Sequence, residues 1–141
     1  MRILGLDFGE RRIGVALSDA SAITAQPLTV IERHGLAKDI QSIEALIRQH
    51  AVESIVMGLP LTLEGERGPQ AQRALAFGSE LKRATQIPLE WVDERFTTAQ
   101  GIKALSEAGE SGRQQRKRID QVAAQLILQS YLDSKNAQKT G

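Results

Sequence analysis

The stretch that decides the fold lies at the start of the chain, where residues 3–18 are ILGLDFGERRIGVALS. An apolar run ends at Asp7, turns through Gly9 and two arginines, and is followed by a second apolar run at 13–17. Two such runs around a short turn predict a β-hairpin. Alternation places Asp7 on the same face as Gly5, which leaves space on that face. A lone aspartate at a strand end can also be a simple turn residue, so its role depends on the other carboxylates.

Length and composition favour one soluble domain. The chain has 141 residues and no cysteine, which excludes disulfides, thiolate zinc sites and cysteine nucleophiles. No apolar run approaches the roughly 20 residues that a membrane span needs. We therefore expect a cytoplasmic protein with no membrane partner, a domain over 1–135 and a polar, disordered tail at 136–141.

The formal net charge of +1 hides one local cluster of basic residues, which comprises Arg113, Arg116, Lys117 and Arg118 and includes no acid. This basic cluster could follow a nucleic-acid backbone, in which case affinity would fall with added salt. The alternative interpretation of this cluster is a solvated, flexible loop that does not bind nucleic acid. Aromatic residues make up 4% of the chain, which argues against a base-stacking platform.

The order of apolar patterns predicts an α/β fold. Three strands come first, and then helices alternate with two further strands, which gives the order βββαβαβαα. This order is typical of a five-stranded mixed sheet with helices on both faces, antiparallel in its first three strands and parallel afterwards. We expect a mobile loop at 106–117. The elements after the hairpin are predicted at 27–32, 36–50, 52–59, 70–84, 87–92, 97–105 and 119–133.

Three carboxylates fall at the ends of predicted elements. Asp7 ends the first strand, Glu94 follows the last strand, and Asp120 is expected in the first turn of the last helix. If the first strand is central, its carboxyl end and those of the parallel strands share one edge of the sheet. Asp7 and Glu94 can then converge, and the alanines at 123 and 124 would let the last helix bring Asp120 close.

Clustered carboxylates repel one another and are forced towards protonation unless a cation is present. Ligands that are all oxygen atoms favour Mg²⁺ or Mn²⁺ over zinc. Two such ions can activate a water and stabilise the leaving oxygen of a phosphodiester. The constellation therefore predicts a metal-dependent nuclease that uses two ions.

Each acid also has a structural interpretation. Glu94 could be a solvated strand-end charge that pairs with Arg95 or Lys103. Asp120 could simply complement the helix dipole. Asp93 is the better structural candidate of the Asp93–Glu94 pair, although alternation alone does not decide which of the two faces inward.

Together, five motifs in this order resemble the YqgF family, also called RuvX. Members of that family are described as nucleases of pre-16S ribosomal RNA and, earlier, as Holliday junction resolvases. The motifs span nearly the whole chain, and as a set they are highly specific. They are Asp7-Phe8-Gly9, Arg12-Ile13-Gly14-Val15-Ala16, Gly58-Leu59-Pro60, Asp93-Glu94-Arg95-Phe96-Thr97-Thr98, and Asp120-Gln121-Val122-Ala123-Ala124 with the residues that follow to Asp133.

The resemblance implies an RNase H-like fold in which the catalytic and metal-binding residues are Asp7, Glu94 and Asp120. It also implies contacts to substrate phosphate from nearby motif positions, namely Arg12, Arg95, Thr97 and Thr98. Arginine suits bidentate phosphate contacts, but each of these two arginines could instead pair with a neighbouring acid. Phe8 stands where many relatives have Tyr, and Gln100 stands where Glu is expected.

The substrate that the resemblance implies is structured RNA, namely the 5′ end of pre-16S ribosomal RNA, either free or in a ribosomal precursor particle. Branched DNA is the alternative, and a twofold dimer would favour it over a monomer. Two other classes stay open. The hairpin also resembles the phosphate-binding hairpin of actin-like ATPases, which close two such domains around a nucleotide, and this chain has room for one. A non-catalytic module that binds RNA or a protein partner is disfavoured by its three acids.

Overall fold

The computed structural model describes residues 1–108 and 112–140 and contains a five-stranded mixed sheet with helices on both faces. The predicted order of elements, βββαβαβαα, is confirmed. Between the last strand and the third helix lies a single 3₁₀ turn at Glu94–Phe96. The elements are β1 Arg2–Phe8, β2 Arg12–Ser18, β3 Ala25–Glu32, α1 Leu36–His50, β4 Val52–Leu59, α2 Pro69–Thr85, β5 Leu89–Asp93, α3 Ala99–Ala108 and α4 Arg113–Thr140.

The sheet has the strand order β3-β2-β1-β4-β5, so β1 is central. It pairs antiparallel with β2 and parallel with β4, and β4 pairs parallel with β5. The carboxyl ends of β1, β4 and β5 therefore share one edge. In the ladders, Asp7 lies opposite Gly14, and Leu59 lies opposite Asp93. This edge is where the sequence predicted the acids to meet.

Alternation along β1 divides the core into two layers. Leu4 and Leu6 belong to the layer that packs under α1 and α2. Ile3, on the opposite face, belongs to the layer formed with Ala124 and Leu128 of α4. The small residues of α4 allow its backbone to approach the sheet closely, and Ala124 is fully buried. Asp7 shares the face of Ile3 and is therefore directed towards α4.

The last helix is longer at both ends than the sequence predicted. The expected loop at 106–117 is wrong where the chain is described: 106–108 belong to α3 and 113–117 to α4, while 109–111 lie outside the described residues. Arg, Lys and Gln are good helix formers, and Glu32 of β3 accepts from Arg113 (2.8 Å) and Lys117 (3.2 Å), one turn apart. Glu32 is far from these residues in sequence, so the local sequence pattern does not reveal it as their partner.

At its other end, α4 continues past the expected limit at residue 133 and runs through most of the segment predicted as a disordered tail. The amide of Asn136 donates to the carbonyl oxygen of Ala22 (3.3 Å), which attaches the end of the helix to the loop after β2. Helix therefore extends to Thr140, and residue 141 lies outside the described residues. Of the helices that the structure describes, none is both long and apolar enough to cross a membrane.

Candidate active site at the edge of the sheet

Two buried carboxylates occupy the edge where β1 and β5 end. Asp7 is 2% exposed and Glu94 is 1% exposed. Glu94 opens the 3₁₀ turn, and the preceding residue, Asp93, caps this turn by accepting from the backbone N–H of Arg95 (3.0 Å). The cap turns Glu94 inward and leaves Asp93 outside, which agrees with the structural role that the sequence favoured for Asp93.

A lysine joins the two carboxylates. The Nζ of Lys103, on α3, donates to Oδ1 of Asp7 (2.9 Å) and to Oε1 of Glu94 (2.7 Å). The sequence offered Lys103 only as one possible partner for a solvated Glu94. The structure has that partner, but the carboxylate is buried and the ammonium is shared with Asp7.

The charges of this cluster depend strongly on one another. Burial, and then the neighbouring charge of Asp7, raise the pKa of Glu94 above its ordinary value, while Lys103 opposes the rise. Burial alone would lower the pKa of Lys103, but the two carboxylates outweigh it and raise that pKa overall. The lysine is therefore a charged ammonium that holds together two acids which would otherwise repel.

The third acid comes from α4. Oδ2 of Asp120 accepts from Nε of Arg12 at 2.6 Å, and both side chains are largely shielded from solvent. Burial raises the pKa of Asp120, and the arginine opposes this rise. Because α4 begins at Arg113, Asp120 lies two turns into the helix and not in its first turn. The interpretation of Asp120 as a complement to the helix dipole is therefore wrong.

Two glycines make room for the acids. A Cβ at Gly14 would lie 2.1 Å from the carbonyl oxygen of Asp120, so α4 reaches the sheet beside Asp7 only because this side chain is absent. A Cβ at Gly58, near the end of β4, would lie 2.8 Å from Oε2 of Glu94. Sequence reasoning did not assign these roles. The hairpin register, which pairs Gly14 with Asp7, could have pointed to the first of them.

The donor atoms suit a hard divalent cation, since carboxylate oxygens are the ligands that Mg²⁺ and Mn²⁺ prefer. As the side chains lie, residues 1–108 and 112–140 contain no group of three or more acidic, histidine or cysteine side chains that could hold a metal ion. In this arrangement, one oxygen each of Asp7 and Glu94 faces Lys103, while Asp120 faces Arg12. An ion held by all three acids remains a prediction, and it requires these ion pairs to rearrange.

The predicted phosphate contacts on the 3₁₀ turn have internal partners. Arg95 pairs with Asp93 (Nη2 to Oδ2, 2.7 Å), as the alternative interpretation had it, and its Nη1 reaches the carbonyl oxygen of Leu63. Thr97 donates to the carbonyl oxygen of Glu94 (3.0 Å), so it fixes the turn that carries this acid. Thr98, by contrast, is exposed.

The basic cluster lies on the first turns of α4, next to the end of β3. The side-chain hydrogen bond from Arg113, together with that from Lys117, lowers the pKa of Glu32 to about 2. Arg118 is exposed, and Arg116 is half-buried. The cluster is therefore a structured, positively charged end of the helix that also carries Asp120.

A cavity of about 130 Å³ lies beside Phe8, the residue that follows Asp7. It lies between the β1–β2 turn and the start of α2, and Lys103 forms part of its wall. Arg33 and Arg73 also line it, with Glu10 as the acid among the lining residues. Sequence reasoning found neither this cavity nor the central position of Lys103, because both depend on how α2 and α3 pack against the sheet.

The mixed sheet with this strand order is that of the RNase H-like fold, and solved structures support this assignment. RuvC from T. thermophilus in complex with a Holliday junction substrate has a TM-score of 0.59 at 13% identity, with 96% of each chain covered. The Holliday junction resolvase of fowlpox virus has a TM-score of 0.53 at 13% identity, with 95% of this chain and 99% of that one covered.

The sequence gives a closer assignment. Residues 1–134 match the family model described as "RuvX: Holliday junction resolvase". Two relatives carry the name "Putative pre-16S rRNA nuclease". The one from Moorella thermoacetica is 48% identical, and the match covers 94% of this chain and 95% of the relative. The one from Caldanaerobacter subterraneus is 44% identical, and the match covers 95% of this chain and 97% of the relative. The chain belongs to the RuvX family, as its motifs indicated.

Proposed function

We propose that this protein is a divalent-metal-dependent nuclease that hydrolyses phosphodiester bonds of structured RNA in the cytoplasm, with the precursor of 16S ribosomal RNA as its substrate. The observation that carries the proposal is the pair of buried carboxylates, Asp7 and Glu94, gathered around one cation at the sheet edge. Burying two acids side by side is costly for a fold, and a purely structural role would be served as well by apolar residues. The arrangement therefore favours chemistry.

Each group of residues at the site would have a separate role. Asp7, Glu94 and Asp120 would be the catalytic acids and would hold one or two Mg²⁺ or Mn²⁺ ions. When bound, such ions supply Lewis-acid activation of water and of the phosphodiester. Arg12 would orient Asp120 through its 2.6 Å contact. Thr97 and the Asp93–Arg95 pair would hold the turn that presents Glu94.

Substrate would be held mainly through its phosphates. The cations proposed for this role are Arg12, Arg95 and the four of the basic cluster, together with the hydroxyls of Thr97 and Thr98. Arg118 and Thr98 are exposed and thus accessible to a polyanion. Binding of this kind should weaken steeply as salt is raised. The ribosomal RNA preference is taken from the names of the relatives, which cover nearly the whole chain.

A second candidate is resolution of four-way DNA junctions, which the description of the matching family favours. That activity would require two active sites on symmetry-related strands, and therefore a homodimer. A monomer, or a protein that acts within a ribosomal precursor particle, suits RNA maturation better.

A cleavage assay with two substrates tests both candidates. A 5′ fragment of pre-16S ribosomal RNA and a synthetic four-way DNA junction would be incubated with the purified protein and either Mg²⁺, Mn²⁺ or EDTA. The variant Asp7→Asn should lose metal-dependent cutting. Asp133→Asn, at an exposed acid of α4, is the matched control and should cut like the wild type.

The preferred substrate decides between RNA maturation and junction resolution. If Asp7→Asn cuts as well as the wild type, the proposed nuclease site is refuted. If neither substrate is cut and Asp7→Asn only binds RNA more tightly, a non-catalytic binding module replaces the nuclease.

A further inference from the structure

Lys103 donates to one carboxylate oxygen of each buried acid, Asp7 and Glu94. Its ammonium contacts both buried acids, at 2.9 and 2.7 Å. A divalent ion that takes oxygens from the same two carboxylates would have to lie close to this ammonium, and two cations so close together repel. Lys103 and such an ion therefore compete for the carboxylates of Asp7 and Glu94.

The side chain of Lys103 also borders open space into which it can move. Its side chain is 24% exposed, although both acids are buried, so one side of it borders solvent. That side forms part of the wall of the 130 Å³ cavity, where Arg33 and Arg73 are further cations. Three cations and one acid, Glu10, line the cavity, so a phosphate that enters it would attract the ammonium that now bridges the two carboxylates.

We propose that Lys103 is a built-in competitor of the divalent cation, which leaves Asp7 and Glu94 for the adjoining cavity when the ion binds and a backbone phosphate of the nucleic acid enters that cavity. The proposal rests on the proposed nuclease function and deepens it. Lys103 is a positioning residue: it keeps the acids together in the protein without metal and makes the binding of metal depend on substrate.

The coupling must act in both directions. If nucleic acid strengthens the binding of metal by moving Lys103, then metal strengthens the binding of nucleic acid by the same factor. Couplings of this kind are typically about 5- to 150-fold. A protein with this device would bind metal weakly by itself and more tightly on its substrate.

Calorimetric titration with Mn²⁺ tests the competition directly, without any cleavage. The variants are Lys103→Met and the control Lys38→Met, at an exposed lysine of α1. We expect Lys103→Met to bind Mn²⁺ about tenfold more tightly than the wild type and Lys38→Met to match the wild type. A short 2′-O-methyl RNA should tighten Mn²⁺ binding to the wild type at least fivefold and leave the affinity of Lys103→Met unchanged.

Chemical modification of the wild type gives an independent test, which does not require Lys103→Met to fold. Acetic anhydride labelling followed by mass spectrometry should show Lys103 protected relative to Lys38 in EDTA, and Mn²⁺ should raise the labelling of Lys103 severalfold. Mn²⁺ that binds the wild type without changing this labelling, or binds Lys103→Met no more tightly, overturns the proposal. Absence of Mn²⁺ binding in every variant overturns the metal site itself, which separates the two failures.

Discussion

Gly14→Ala should damage both stability and activity, because α4 crosses the sheet directly over this residue. The added Cβ would lie 2.1 Å from the carbonyl oxygen and 2.7 Å from the carbonyl carbon of Asp120. To restore even 3.0 Å to the oxygen, the helix has to move by about 0.9 Å. The obstacle is helix backbone and not the tip of a flexible side chain, so local rotation cannot relieve it. Overpacking of this kind costs about 1–3 kcal/mol.

The same displacement moves Asp120 away from the other acids. A misplacement of about 1 Å can cost on the order of 10²-fold in rate, so cleavage should fall by far more than the loss of stability alone explains. The assays are urea unfolding, compared at the midpoint, and metal-dependent cleavage under conditions where the variant is fully folded.

Gly101→Ala is the matched control. A Cβ at Gly101 meets no atom within 4 Å, and the residue is exposed on α3. Alanine there should stabilise the protein by about 0.5–1 kcal/mol, because glycine is a poor helix former. If Gly14→Ala unfolds within about 0.5 kcal/mol of the wild type, as a neutral surface substitution would, the close approach of α4 to the sheet is refuted.

Three further predictions concern individual polar contacts. Arg12→Met removes the 2.6 Å partner of Asp120 and should cost about 1–3 kcal/mol in urea unfolding; the cost should nearly vanish when Asp120 is already Leu, which has no acceptor, and an unchanged cost would contradict the pairing. Asp39→Ala leaves the backbone N–H of His34 without its 2.8 Å acceptor and should also cost about 1–3 kcal/mol, with a smaller loss for Asp39→Asn. The pKa of Glu32 is lowered from 4.5 to about 2, so its contribution to stability is present above pH 4.5 and is lost as the pH falls towards 2. Unfolding of Glu32→Gln should lack that part of the acid dependence; an identical pH profile would contradict it.

Much of the fold was predictable because it follows from local pattern. The hairpin around Asp7 and the alternation of later strands with helices fix the topology, and the shared edge of β1 and β5 then follows from strand direction. By contrast, the start of α4 depends on Glu32, whose partner Arg113 is 81 residues away in sequence. Glycines at 109 and 112 made this region resemble a loop.

Within the candidate site, the acids were predictable and their counterions were not. An acid at the end of a strand has a position that the topology determines. Lys103, however, reaches the acids from α3 through a long flexible side chain, and its target depends on how that helix packs. Arg12 was placed correctly in the hairpin, but its contact with Asp120 spans 108 residues of sequence. Ion pairs across such distances require the assembled structure.

The three acids are residues 7, 94 and 120, so the candidate site is completed only late in the synthesis of the chain. A ribosome that has released only the part of the chain before α4 has already supplied every strand of the sheet. Such a nascent chain contains Asp7, Glu94 and Lys103 but lacks the third acid, and a domain generally folds as a unit. A nuclease assembled in this order would be harmless to nearby RNA until its last helix had docked.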